Sequence, residues 1–357
     1  MSVKNLGASC AIVGGGYAGL AVAIELKRRA PHIQVTLFDE RAQHQKITQW
    51  HKLVRGKKAS QYEVNFQTLS RRFHFTFIQK KIHLTALLQN PKSALYQKFD
   101  AVVLAQGSHS PMTPANVVTL DTLRNDTAEQ EHLRTLDSKK IAVIGGGPTG
   151  VQFAFELAAR KNQVLLFEAQ ERLLPSFDAS LGETAVAEAA RAKIDLHLNT
   201  EFLRFENNTL YARSGSESLR FNADYVLFVP GVRSTPAFNC DSYGRILEIQ
   251  GKAPHTRFYA VGDNSYFSGR GLNSKSAQAA IRKAQQVAET LRADLQGGNV
   301  PEYTYQELGY FVSLGPKSAV GYLFSQKTAF AGRAALLMKE AVERQYDLYL
   351  AGFNVYL

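Results

Sequence analysis

The chain is poor in the side chains that carry redox chemistry without a cofactor. Its 357 residues include two cysteines, Cys10 and Cys240, far apart in sequence. No CxxC or CxxxxC occurs, which excludes a closely spaced redox-active dithiol and a zinc ribbon, and no metal site is expected. Cys10 lies between Ser9 and Ala11 and Cys240 between Asn239 and Asp241, and each reads as a buried thiol. No run of about 18 apolar residues is present, so no membrane-spanning helix is expected. The first ten residues carry one lysine and no apolar core. The apolar stretch after them runs into Gly14-Gly15-Gly16, as a strand and turn would and a signal peptide would not. The expected location is the cytoplasm. Carboxylates are scarce beside bases: Asp and Glu number 31, Lys and Arg 42, a formal net charge of +11. Such a balance favours anionic partners, whether nucleic acid, an acidic membrane surface or phosphorylated cofactors, without choosing among them. With 45% hydrophobic and 20% charged residues the chain has an ordinary globular make-up. At roughly 100–200 residues per domain it holds two or three domains.

What is present is a pattern that occurs twice. Ser9 to Val13 is an apolar, β-branched run. It is followed by Gly14-Gly15-Gly16-Tyr17-Ala18-Gly19, a helical pattern, and a second run, Val35 to Phe38, that ends in Asp39. Lys140 to Ile144 repeats this with Gly145-Gly146-Gly147-Pro148-Thr149-Gly150, a helical pattern, and Val164 to Phe167 ending in Glu168. A lone GxGxxG is weak. Here a strand precedes each, a helix follows, and an acid falls roughly 20 residues on, as the dinucleotide fingerprint requires. The first glycine permits the tight turn, and the second lets backbone approach a pyrophosphate. The third lets the helix pack on the strand, and the helix N-terminus offers free N–H groups to phosphate. The acid accepts from ribose hydroxyls. Glu168 also repels a 2′-phosphate, which favours NADH over NADPH.

Further strands are expected at Phe99 to Ala105, Tyr225 to Val229 and Phe258 to Val261. Ser276 to Leu295 reads as a helix, Pro301 to Tyr322 as extended with a turn at Gly315-Pro316-Lys317, and Ala331 to Leu350 as a helix. The fold class is α/β, with two Rossmann-like dinucleotide-binding domains and a small C-terminal β/α segment.

Two fingerprints together with Tyr259-Ala260-Val261-Gly262-Asp263 resemble the two-dinucleotide-binding-domain flavoproteins, whose first domain holds FAD and whose inserted second domain holds NAD(P)H. The resemblance covers roughly residues 8–295. It implies a divided FAD-binding domain (1–118 and 241–297), an NADH-binding domain at 119–240, and a segment at 298–357 for membrane, acceptor or dimer contacts. By the same resemblance Asp263 meets the ribityl chain. Ala105-Gln106-Gly107 and Val229-Pro230-Gly231-Val232-Arg233 match the two crossovers, with Gln106 in place of a threonine. Disulfide reductases of this group need a close cysteine pair, and sulfide:quinone reductases need two reactive cysteines, which a buried Cys10 does not supply.

Within the group the chain is most similar to type II NADH:quinone oxidoreductases and the related apoptosis-inducing-factor-like quinone reductases. Gly147-Pro148-Thr149-Gly150-Val151, Arg172-Leu173-Leu174-Pro175, Lys275-Ser276-Ala277-Gln278-Ala279-Ala280 and Tyr310 to Gly315 carry that likeness. Gln152 departs from it, standing where those enzymes usually have a glutamate on the nicotinamide side, and so does Arg282. The resemblance implies an FAD-dependent NADH oxidoreductase that gives electrons to a quinone or similar diffusible acceptor. Two alternatives stay open, a soluble reductase of a ferredoxin- or rubredoxin-type protein and a redox sensor without turnover.

Hydride transfer between nicotinamide and flavin asks for alignment more than acid–base chemistry, so no His–Asp pair is nominated. The candidates beside the chemistry are Lys46, Gln152 and Gln278, with an exposed surface lysine the alternative for Lys46. His51 and His255 read as surface or loop residues. Arg41 to Lys81 holds ten Lys and Arg against one carboxylate, Glu63. No nucleic-acid motif accompanies it, so no nucleic-acid partner is expected. It is either a solvated basic face or a contact with anionic lipid at the inner face of a membrane. In the last helix Ala334, Leu337, Met338, Ala341, Val342, Gln345 and Tyr349 fall near one face. That face can lie in a membrane interface, pack on the body or join a second subunit as a homodimer.

Overall fold

The structure, a computed structural model, describes residues 7–84, 98–112, 114–234, 236–249 and 257–356; His255 lies outside them. The chain forms two compact units. One comprises Met1–Lys46, Glu63–Ser108 and Ser234–Glu307, the other Ile47–Tyr62, His109–Arg233 and Leu308–Leu357.

The first unit is built on a five-stranded parallel sheet. Its strand order is Arg257–Ala260, Ala101–Leu104, Ser9–Val13, Gln34–Asp39, Thr76–Gln79. Its central strands are apolar without alternation because both faces are covered, the signature of a parallel sheet. Helix Tyr17–Arg29 packs against helix Ala277–Gln296. Ala279, Ala280, Ala284 and Ala288 lie on the buried side of the second helix, and their small side chains let the two axes come close.

The second unit repeats the plan with the order Asp195–His197, Gln163–Phe167, Lys140–Ile144, Tyr225–Phe228, Val118–Thr119, again parallel. Period-two alternation divides its side chains between two cores. Ile141, Val143, Val164, Leu166 and Leu227 join one cluster with Trp50, Leu53, Val151, Phe155, Leu181, Val312 and Val320. Ala142, Ile144, Leu165, Phe167, Val226 and Phe228 join the other, which also takes in Phe205, Leu210 and Ala212. The latter three come from an antiparallel meander, Glu201–Glu206, Thr209–Ser214 and Glu217–Asn222, that covers the second face.

Strands Gly309–Ser313, Ala319–Leu323 and Ala329–Gly332 form an antiparallel sheet against which helix Arg333–Ala351 packs. Residues Ile47–Tyr62 form two short 3₁₀ helices. They belong to this unit although the sequence reading placed them in the first stretch. Among the described residues no helix is long and apolar enough to cross a membrane.

Candidate functional site

The two glycine turns are near-copies in detail. Gly14 sits at φ +105° and Gly145 at +114°, in the left-handed region where a side chain is strained. A Cβ on Gly14 would lie 2.4 Å from the Ala105 carbonyl oxygen, and one on Gly145 2.4 Å from that of Val229, so each first glycine abuts its crossover segment. A Cβ on Gly19 would meet the Gly14 carbonyl oxygen at 1.9 Å, and one on Gly150 the Gly145 oxygen at 1.8 Å. The third glycine is thus required by contact with the turn itself. At Gly16 and Gly147 a Cβ would meet nothing within 4 Å. The position that faces a ligand in each fingerprint therefore opens onto free space, while the positions that face protein are filled.

Gly16 and Gly147 are also the N-caps of the two following helices, and neither receives a side-chain cap. No acidic residue lies in either first turn. Each helix therefore turns its N-terminal N–H groups, free of a side-chain cap, and the positive end of its dipole toward the open glycine. These observations fit a dinucleotide diphosphate at each turn.

The two acids are held alike. Asp39 Oδ2 accepts from the Gly15 amide at 2.7 Å, and Oδ1 from the Arg41 amide at 2.9 Å with the Arg41 guanidinium at 3.2 Å. Glu168 Oε2 accepts from the Gly146 amide at 2.6 Å, and Oε1 from the Gln170 amide at 2.9 Å. Each carboxylate closes its turn and is fixed in place by charge-assisted bonds.

In the first unit the structure brings Asp263 to the same turn. Gly262, at φ +79°, lies where a Cβ would be 2.9 Å from that of Ala18. The Asp263 carboxylate accepts from the Ser108 hydroxyl at 2.6 Å, next to Gly107, and its carbonyl accepts from Ser234 at 2.7 Å. Gly14, Gly15, Gly16, Tyr17, Ala18, Gly19, Asp39, Gly107 and Asp263 are thus gathered in this unit. Gly145, Gly147, Gly150, Glu168 and Gly231 belong to the second. A Cβ on Gly107 or Gly231 would likewise meet nothing within 4 Å.

His44 escaped the sequence reading, since one histidine in a polar run gives no signal. It is buried, its Nδ1 lies 3.0 Å from the Gly15 carbonyl oxygen, and Tyr17 meets its ring edge-on at 5.2 Å. Burial pushes it down to about 4, against the Gly15 carbonyl and Asp39, which favour the charged ring. It is neutral and donates to Gly15. Lys46 is buried, so the exposed alternative is corrected. Gln278 is half-buried in the first turn of its helix, whose cap Ser276 accepts from the Ala279 amide at 3.1 Å.

The second unit departs most from expectation around His51. That residue is 3% exposed, not a surface residue. Its Nε2 lies 3.1 Å from Ser313 Oγ, which lies 3.2 Å from Oε1 of Gln152. Gln152 Nε2 donates to the Pro148 carbonyl at 3.1 Å. Burial, then Lys339, Lys52 and Arg55, hold the imidazole well below its ordinary value.

Beside it, Arg55 grips the buried Glu156 with two bonds, one of 2.8 Å from Nε, and Glu343 pairs with both Lys52 and Lys339. The Arg41 to Lys81 run is therefore not a continuous solvated face. Arg41, Lys52, Arg55 and Lys81 pair with carboxylates, and Lys46 is buried. The last helix divides the apolar face named from the sequence, burying Tyr349 and leaving most of the rest outside. It buries Ala335, Lys339, Tyr346, Tyr349 and Leu350, and leaves Ala334, Leu337, Ala341, Val342 and Leu348 exposed. Cys10 and Cys240 are both free and buried, and burial raises both thiols, Cys240 to about 12.

The family model described as pyridine nucleotide-disulphide oxidoreductase matches residues 8–284. A type II NADH:quinone oxidoreductase of Staphylococcus aureus is 24% identical over 393 residues, with 96% of each chain covered. The structure of NDH2 from Plasmodium falciparum in complex with NADH superposes with a TM-score of 0.79 at 13% identity, covering 95% of this chain and 94% of that one. The sulfide:quinone oxidoreductase of Aquifex aeolicus gives 0.78 at 16%, covering 98% and 93%. At these identities the two structures speak for the fold. With its fingerprints inside a family match that spans most of its length, the chain belongs to the pyridine nucleotide-disulphide oxidoreductase family.

Proposed function

We propose that the protein is an FAD-dependent NADH oxidoreductase that passes electrons to a quinone. The observation that carries this reading is the pair of open glycine turns without any dithiol. Two uncapped helix N-termini stand beside Gly16 and Gly147. The two thiols are buried, and burial keeps them protonated and unreactive. Bound FAD would supply two-electron uptake from nicotinamide and its release to an acceptor. The first unit is the proposed FAD site, with the Gly14–Gly19 turn on the diphosphate, Asp39 on the adenosine ribose and Asp263 on the ribityl chain. The second is the proposed NADH site, with Gly145, Gly147 and Gly150 at the diphosphate, Glu168 at the ribose and Gly231 at the crossover. Lys46, Gln152 and Gln278 are proposed to line the chemistry. The full-length likeness to a type II NADH:quinone oxidoreductase supports quinone as the acceptor class.

The last helix suits a peripheral place on an anionic membrane. Its exposed apolar stripe, Ala334, Leu337, Ala341 and Leu348, continues into Phe353, with Leu337 66% and Phe353 60% exposed. Arg333 and Arg344 are exposed along it. Such a stripe with basic flanks binds a membrane interface by apolar area and by charge, at about 1 kcal/mol per basic residue near an anionic surface. The test is NADH oxidation by the purified yellow protein with a lipophilic quinone in anionic and in neutral liposomes. Quinone reduction that rises on anionic liposomes and weakens with salt is expected. A colourless protein that does not take up FAD, or one that reduces only a protein acceptor, overturns the reading.

A further inference from the structure

We propose that His51, Ser313 and Gln152 couple occupancy of the second nucleotide site to the uptake of one proton, and that His51 is the group that takes it. This rests on the assignment of NADH to that site.

The case is a count of hydrogens. The three side chains are 3%, 1% and 9% exposed, so no bulk water completes their bonding. His51 makes a hydrogen bond to the Thr48 backbone that favours its charged form, as a carbonyl accepting a ring N–H does. In a neutral ring the nitrogen facing Ser313 then carries a lone pair. Gln152 presents its amide N–H₂ to the Pro148 carbonyl, so the atom it shows to Ser313 is oxygen. Reversing that amide would set oxygen against the Pro148 oxygen. Ser313 therefore stands between two acceptors, 3.1 and 3.2 Å away, with one hydroxyl hydrogen to give. The neutral network is one proton short. One proton from solvent on His51 Nε2 completes it. His51 then donates to Thr48 and to Ser313, Ser313 donates to Gln152, and Gln152 donates to Pro148. No other bond forms or breaks.

The surroundings keep that proton off without a ligand. Lys52 and Arg55 on its own segment and Lys339 on the last helix oppose a charge on His51, and burial opposes it more. The carboxylates nearby are committed, Glu156 to Arg55, and Glu343 to Lys52 and Lys339. Arg160 and Arg134 spend donors on the Val54 and Gly56 carbonyls of the same segment, Glu131 is taken by Arg134, and the Tyr62 hydroxyl is held protonated. The missing influence is an anion. Gln152 lies one turn along the helix whose uncapped N-terminus faces the diphosphate position, tied to Pro148 in the first turn. A diphosphate there favours the imidazolium through a poorly screened interior. A carboxylate at 152 would do so permanently, whereas the amide accepts without charge and leaves the outcome to the ligand.

The test titrates the FAD-loaded protein with ADP-ribose, which carries the diphosphate but cannot reduce flavin. Binding heats are compared at one pH in buffers of different ionisation enthalpy. Expected are uptake of a measurable fraction of a proton, up to one per ADP-ribose, and a Kd that rises up to tenfold per pH unit between the free-state and the bound-state titrations of His51 and levels off above the latter. His51→Gln should bind ADP-ribose without uptake. Gln152→Glu should charge His51 in advance, which abolishes the uptake. It should also shift to higher pH the titration seen in the emission of Trp50, the only tryptophan and the neighbour of His51. Equal heats in every buffer for the wild-type protein overturn the proposal, as does uptake that survives in His51→Gln. Failure of ADP-ribose to bind at all overturns the nucleotide assignment beneath it.

Discussion

Replacing Glu168 by glutamine asks whether the second acid chooses the coenzyme. The carboxylate is buried and fixed by two backbone amides, so it cannot swing away from a 2′-phosphate. Two unit charges about 4 Å apart interact by roughly 4 kcal/mol at the effective dielectric of such sites, which corresponds to about a thousandfold preference against NADPH. The Glu168→Gln change keeps the shape and removes the charge. It also turns an NH₂ toward one of the two amides, which leaves a buried N–H unpaired at a cost of about 1–3 kcal/mol. The ratio of kcat/KM for NADH over NADPH, read with a soluble dye, should fall by one to three orders of magnitude. The variant should melt earlier and keep its FAD, because Glu168 belongs to the other unit. A wild-type protein that uses both coenzymes equally, or a Glu168→Gln variant with an unchanged ratio, refutes the reasoning.

Gly19→Ala should fail to fold, since its Cβ would lie 1.9 Å from a backbone oxygen, whereas Gly16→Ala should fold and lose FAD; thermal melting and flavin content of the two variants separate these outcomes. Glu156→Ala strands Arg55 in a half-buried site and should cost roughly 3–5 kcal/mol in chemical denaturation, with little loss if Arg55 turns to solvent. His44 sits at about 4 in the folded chain, below its ordinary value near 6.5, so its neutral ring contributes stability fully above pH of about 6.5 and loses it as pH falls toward about 4. That difference is worth roughly 3 kcal/mol, and His44→Phe should flatten the fall in denaturation midpoint over this range. Deleting residues beyond Gly332 should abolish salt-sensitive binding to anionic liposomes, measured by flotation; binding that survives places the membrane contact elsewhere.

The nucleotide turns were legible because their information is local. Strand, glycine spacing, helix and acid occupy about 30 consecutive residues, and Gly19 and Gly150 meet their own turns within that span, although Gly14 and Gly145 abut the distant Ala105 and Val229. What was not legible depends on pairing at a distance. Lys52 and Arg55 look like solvated charges until Glu343, 291 residues on, and Glu156 come to meet them. His51 looks like a loop residue until Ser313, 262 residues away, reaches its ring. The meander at 201–222 was missed because its strands carry exposed charges on one face and a sparse apolar face, Phe205, Leu210 and Ala212, that shows no run. Which side of the last helix turns inward was left open by its sequence, because Lys339 and Glu343, charged residues, occupy its buried side.

The buried Lys339 links the interior to the surface. A helix with Lys339 toward the body would normally be rejected, since a buried ammonium without a partner costs several kcal/mol. Here Glu343, one turn on, neutralises it, and Lys52 from the 47–55 segment shares the same carboxylate. Burial alone would raise the Glu343 carboxyl, yet the two lysines hold it below its ordinary range, so it stays ionised and the pairing persists at neutral pH. With the polar contacts of the helix satisfied inward, Leu337 and Leu348 are left over for the outside. The ion pairs thus determine which face the helix shows, and the exposed Leu337 stripe follows from them. Glu343→Gln breaks this arrangement without altering a single exposed residue. If the stripe is presented by the ion pairs, that variant loses liposome binding along with its helix protection in hydrogen exchange. If liposome binding stays intact while protection falls, the stripe does not hold the membrane and the exposed bases alone account for the attraction.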